Sequence, residues 1–120
     1  MIAENIFAGL VALLHFYFLY LEMFLWTKPQ GLKIFRNTPQ KAEDSKILAA
    51  NQGLYNGFLA AGLVCSIVHP DNYFAFQIRV FFYVCVIIAG IYGALTANKK
   101  IFFVQALPAI LGLILSLTLG

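Results

Sequence analysis

Charge is the scarcest commodity in this 120-residue chain. Only 11% of its residues are Asp, Glu, Lys or Arg, against 62% hydrophobic, and its mean hydropathy is +0.84. A water-soluble domain carries about 25% charged residues. With so few, the chain lacks the groups to clothe a surface in water, and lipid is the better solvent. Cysteine is nearly absent too. Cys65 and Cys85 fall inside long apolar runs at different depths, which argues for two free, buried thiols behaving as small apolar side chains. No low-complexity segment, internal repeat, nucleotide-binding motif, nucleophile motif or metal-ligand spacing is present. No cofactor, metal or nucleic-acid partner is therefore expected. The opening MIAEN has no basic region, and the apolar stretch after it is too long for the core of a signal peptide. It reads as a retained helix.

What is abundant is long apolar runs. Helices of about 20 residues span a bilayer, and four fit with little left over. The spacing predicts an all-α, polytopic membrane protein: a single four-transmembrane-helix bundle over residues 1–120, with spans near 6–26, 47–68, 73–96 and 101–119. The one long polar stretch, TKPQGLKIFRNTPQKAEDSK, joins the first two. Ile34 and Phe35 among its bases suggest a short segment on the membrane surface, or a plain loop. Asn37-Thr38-Pro39 is a turn or helix-start signal. His69-Pro70-Asp71-Asn72 is a tight turn in which Asp71 or Asn72 caps the next helix.

The net charge of +3 reports threading. Lys28, Lys33, Arg36, Lys41 and Lys46 lie between spans one and two, and Lys99 and Lys100 between spans three and four, leaving only Arg79 of the eight bases. Both connections lie on one side of the membrane. The positive-inside rule makes that side the cytoplasm, so both termini face out of a cytoplasmic membrane. Trp26 is placed as an interfacial aromatic. Arg79, about two turns into span three, is expected to snorkel outward as a second interface anchor.

Advancing about 100° per residue, Glu4, Ala8, Val11, His15, Glu22 and Trp26 share a stripe on span one. On span three, Arg79, Tyr83 and Gly90 share a face, with Gly93 and Ala94 beside them, opposite Phe81, Val84, Ile88 and Leu95. On span four, Gln105, Ala109, Gly112 and Ser116 oppose Phe103, Ile110 and Ile114. Small residues let helices approach while bulky ones meet lipid. Span two differs. Asn51, Gln52, Tyr55 and Asn56 fill one arc, and Gly53, Gly57, Ala60 and Ala61 the next. It reads as the most enclosed helix, with Gly53, Gly57 and Ala61 as a packing ladder.

Glu22 is the focal residue. An ionisable group in a span is costly unless paired, neutral or wetted. Antiparallel threading brings Asn51, Gln52 and Gln105 to its depth, with Tyr55 and Asn56 about a turn deeper. His15 is about 10 Å away along the same helix face. These residues define one expected cytoplasm-facing pocket. Three readings stay open: a hydrogen-bond network that glues the helices; a binding or transport site for a small lipophilic or cationic molecule, with Glu22 and His15 as proton-coupled groups; and an intramembrane enzyme using His15 and Glu22 as acid and base on a lipophilic substrate. Transport through four short helices would call for a homodimer.

The runs LLHFYFLYLEMFLW (13–26) and ILAANQGLYNGFLAAGL (47–63) resemble the two signature stretches of a family of small, mostly bacterial, four-span membrane proteins, domain of unknown function 1304. The resemblance covers nearly the whole chain and implies a four-helix membrane domain but no activity. His15, Glu22, Trp26, Asn51, Gln52 and Asn56 lie within the matching runs. A looser likeness, of architecture alone, is to small multidrug transporters, which also carry a carboxylate in the first of four spans. Their motifs are absent here.

Overall fold

The computed structural model describes residues 2–119, and every regular element among them is helical. The order is α1 (Ile2–Phe24), α2 (Pro29–Phe35), α3 (Pro39–Val68), α4 (Asn72–Thr96), a π-helical turn (Phe102–Ala106) and α5 (Leu107–Leu119). Among the described residues, three helices are long and apolar enough to cross a membrane: Ile2–Phe24, Asn72–Thr96, and the continuous Phe102–Leu119, with mean hydropathies of 1.8, 2.1 and 2.1. At 30 residues α3 is the longest helix, yet it falls outside that set. It begins eight residues before the predicted span, taking in Lys41, Glu43, Asp44 and Lys46, and it carries the amides Asn51, Gln52 and Asn56.

The chain contacts divide into two compact units, residues 13–60 and the remainder. In the 13–60 unit, α1 ends at Phe24 and the chain turns through Leu25–Lys28, whose N–H groups bond back to Leu21 O (3.2 Å) and Leu25 O (3.0 Å). Pro29 opens α2, where its missing N–H costs nothing. A side chain at Gly31 would sit 1.8 Å from the Leu25 carbonyl oxygen, so only glycine permits this turn. Arg36 ends α2 in the left-handed conformation (φ 53°), and Asn37 N–H reaches Leu32 O at 3.0 Å. Thr38 then starts α3, its hydroxyl accepting from Lys41 N–H at 3.2 Å, with Pro39 in the first turn. Residues 29–35 are thus a short helix, where the sequence left loop and surface segment open.

Next to this turn, the α1 end meets the middle of α3 at two glycines. A Cβ on Gly53 would fall 2.8 Å from Met23 Cγ and 3.2 Å from Leu19 O. One on Gly57 would fall 2.6 Å from Leu19 Cδ1. The third rung is not Ala61, which is exposed, but Ala60, which is fully buried. The expectation that α3 is the most enclosed helix is also corrected: Ile47, Leu48, Leu54, Tyr55, Phe58, Val64 and Val68 all lie on its exposed side. The small-residue arc packs, and the polar arc of Asn51, Gln52 and Tyr55 largely does not.

The other unit is built on α4, the π turn and α5. Asp71 caps α4, accepting from the N–H groups of Tyr73 (2.9 Å) and Phe74 (3.1 Å). Arg79, Tyr83, Val86 and Gly90 form the buried face of α4, while Phe81, Ile88 and Leu95 are exposed. Ala94 is half-buried, and a Cβ on Gly93 would sit 3.0 Å from Ile101 Cγ2. On α5 the buried residues are Ala109, Gly112 and Ser116. Gly112 receives the Tyr83 ring, whose Cζ would lie 2.6 Å from an added Cβ, and Gly62 receives Phe82. The π turn was not foreseen. Pro108 cannot donate to a carbonyl one turn back, and its ring crowds that carbonyl, so the preceding turn widens. Leu107 N–H accordingly bonds Phe102 O, five residues back. Widening carries Ala106 onto α4, where its N and Cβ would each be 2.7 Å from a Cβ on Gly90. Of the two thiols, Cys65 is exposed and Cys85 half-buried, not both buried as the sequence suggested; both are free.

Candidate functional site

Glu22 lies on the last full turn of α1 and is 8% exposed. The two glycines of α3 bring that helix close enough for Asn56 to reach it: Asn56 Nδ2 donates to Glu22 Oε1 at 2.6 Å, and Asn56 is itself buried. The close approach includes Glu22 itself, since a Cβ on Gly53 would meet Glu22 Cβ at 3.1 Å. Among the described residues this is the single hydrogen bond to the carboxylate. In front of it lies a cleft of about 440 Å³ within the 13–60 unit, with Glu22, Trp26, Thr27, Lys46 and Asn51 among apolar Met23, Phe24, Ile47 and Leu54.

The rim is fastened at Trp26. Its indole N–H donates to Ser45 Oγ at 3.1 Å, Ser45 Oγ donates to Lys41 O at 2.7 Å, and the ring packs against Phe35 at 4.7 Å between centroids. Trp26 is thus tied to α2 and α3 as well as placed at the helix end. Lys46 pairs with Glu43 one turn earlier on α3. The cleft so combines one inward carboxylate, one cation at its mouth, and aromatic and aliphatic walls. Chemically it suits an amphipathic molecule whose positive or hydrogen-bond-donating end meets Glu22.

The other expected members are elsewhere. His15 is 0% exposed and packs edge-on against Phe18 (5.3 Å), and it does not line the cleft. Asn51 reaches the cleft wall, although its amide donates to Ile47 O of its own helix at 3.0 Å. Gln52 is exposed, and Tyr55, 60% exposed, lies near Phe58 on the outer side of α3. An exposed arc of α3 explains both departures: depth along the helix is one coordinate, and the direction of these side chains is another. Gln105 is half-buried in the π turn, in the other unit. Lys46 and Thr27 were missed as cleft residues, because each reads as part of a loop or a topology signal.

The second correction concerns Arg79. It does not snorkel. It is 7% exposed, and its guanidinium turns inward: Nε donates to Ser66 Oγ (3.0 Å), and Nη2 donates to Asn5 Oδ1 (2.6 Å) and Ser66 O (3.2 Å). Ser66 Oγ in turn donates to Leu63 O at 2.6 Å. An Asn, a Ser and an Arg within apolar stretches of three helices were the available signal for this cluster.

No solved structure matches this chain. The uncharacterized protein YpaA of Lactococcus lactis subsp. lactis (strain IL1403) is 37% identical over 109 residues, covering 89% of this chain and 90% of that protein. The family described as "Protein of unknown function (DUF1304)" matches over residues 9–117. With that match running through both signature stretches and past the π turn, the chain belongs to the DUF1304 family.

Proposed function

We propose that this protein is a four-span protein of the cytoplasmic membrane that binds, and as a homodimer transports, a small lipophilic or cationic molecule in the cleft at Glu22. The observation that carries the reading is a carboxylate withdrawn among apolar side chains, held from behind by one amide and opening on a cleft of about 440 Å³. A network meant only as glue would use up both oxygens of such a group, since buried polar atoms are normally paired. The three apolar helices support membrane insertion. The run 47–68 within α3 supplies the fourth span, and the seven bases of the two same-side connections orient it with both termini outside. Four short spans make a thin wall, so a pathway needs a second copy, whereas binding does not.

Trp26 is the chain's only tryptophan and it lines the cleft, so its fluorescence reports on the site. Titrating the purified protein in micelles with tetraphenylphosphonium, a lipophilic cation, should give saturable quenching. That signal should weaken as acid protonates Glu22 and fall at least about tenfold in affinity in Glu22→Gln, the loss of one desolvated charge contact. Unchanged binding in a Glu22→Gln protein that is merely less stable would leave the network as glue.

A further inference from the structure

The unit containing α4 and α5 holds a second cavity, of about 230 Å³, among the α1 start, the α3 end, the α4 start and the α5 end. Arg79 and Ser116 contribute to its polar wall, and Ile67 and Phe76 to its apolar one. Glu4 lines it too, but that carboxylate already has an electrostatic partner and has no charge to spare for a ligand. Two features of the wall lack partners. Ser116 is 2% exposed, and its hydroxyl has no hydrogen-bond partner among the described residues. A buried hydroxyl left so is costly, and each such case in a native protein calls for an explanation. Arg79 is buried as well. It donates through Nε and Nη2 to Ser66 and Asn5, and those bonds leave the two N–H groups of Nη1 unused. Asn5 and His69 line the cavity half-buried and Asn72 exposed, so the buried donors are those of Arg79 and Ser116.

An oxygen acceptor completes a wall that offers two N–H groups and one O–H. Because a guanidinium withdrawn from water supplies two of them, the acceptor that gains most is an oxyanion. The position and number of the donors then choose among oxyanions. Buried donors are reached by the end of a molecule, and a phosphodiester is a link with a polar group beyond it. A phosphate monoester is terminal, but it brings three free oxygens and a charge of about −1.5 to −2, more than these donors can pair. A carboxylate is terminal, singly charged, and has about four acceptor sites on two oxygens, which the donors nearly fill. We infer that the cavity walled by Arg79 and Ser116 binds the carboxylate of a lipophilic acid, with its oxygens on Arg79 Nη1 and Ser116 Oγ and its hydrocarbon leaving past Ile67 and Phe76. Two sources carry this chemistry: a long-chain fatty acid from the bilayer, and a short soluble carboxylic acid. The long-chain source rests on the membrane reading above; the site itself does not, and it shares no residue with the Glu22 cleft.

The test adds laurate, dodecanol, phosphatidylglycerol or butyrate to the full-length protein in detergent, at a pH where laurate is ionised, and counts retained molecules by native mass spectrometry. Retention of laurate is expected over dodecanol, which has the same chain without the carboxylate, and over phosphatidylglycerol. Ser116→Ala, which removes only the unpartnered hydroxyl, should weaken it about five- to tenfold while leaving the unfolding temperature in place. Arg79→Lys keeps a cation for Asn5 and Ser66 but presents no planar fork of N–H groups, and it should weaken retention at least as much. Butyrate held as well as laurate, with the same dependence on Ser116, would identify the soluble source and uphold the site. Dodecanol or phosphatidylglycerol held as well as laurate, laurate retention indifferent to Ser116→Ala, or laurate retention lost in Glu22→Gln would overturn it.

Discussion

Glu22 and Arg79 are both charged side chains withdrawn into apolar helices, and they are satisfied in different ways. Among the described residues, Glu22 receives one hydrogen bond and borders an open cleft, whereas Arg79 makes three and fastens two other elements, Asn5 on α1 and Ser66 on α3. The difference separates a group kept in reserve from a group used mainly as a clamp. A carboxylate with a single partner can exchange that partner's company for a ligand. A guanidinium with three can do so only through the nitrogen it has not used.

Substitution should expose that contrast most sharply at Arg79. Arg79→Met leaves Ser66 and Asn5 without their charged donor and should destabilise the protein by about 3–5 kcal/mol, the range for breaking a buried charged network. Glu22→Gln keeps an acceptor for Asn56 and should cost about 1 kcal/mol or less. Denaturant unfolding in micelles compares the two; similar losses would erase the distinction between clamp and reserve.

A smaller effect distinguishes the helix contacts of the two units. A Cβ added at Gly90 would meet the backbone N of Ala106 at 2.7 Å, while one added at Gly57 would meet only the tip of Leu19, Cδ1 at 2.6 Å. Backbone cannot step aside, and a leucine methyl can. Gly90→Ala should therefore cost about 2–3 kcal/mol and Gly57→Ala about 1 kcal/mol or less, read as shifts in thermal unfolding. The reverse order would mean that the π turn yields more easily than α1. Smallest is Trp26→Phe, which gives up one half-buried hydrogen bond to Ser45 and should cost about 0.5–1.5 kcal/mol. A larger loss would make the rim, and not Asn56, the main support of the cleft.

Much of this was legible in the residue pattern because helical periodicity is strict. The stripe of Glu4, Ala8, Val11, His15 and Glu22 is the buried side of α1, and Ala109, Gly112 and Ser116 are that of α5. Asn56 as a neighbour of Glu22 follows from antiparallel depth combined with the glycine face. Depth alone misled for Gln52, expected at the level of the carboxylate, and for Tyr55, expected about a turn deeper, because both are exposed. The snorkelling rule misled for Arg79, because it weighs the length of one side chain and ignores acceptors that other helices offer. The π turn was invisible because a helix with one extra residue keeps the composition of a helix, and only Pro108 hinted at it.

The most direct test is a density map of the protein in lipid nanodiscs with tetraphenylphosphonium added. The account predicts ligand density in the cleft against the Glu22 carboxylate, with Asn56 behind it and Trp26 at the rim. A map in which Glu22 points into acyl chains, away from Asn56 and with the cleft filled by lipid, would contradict it.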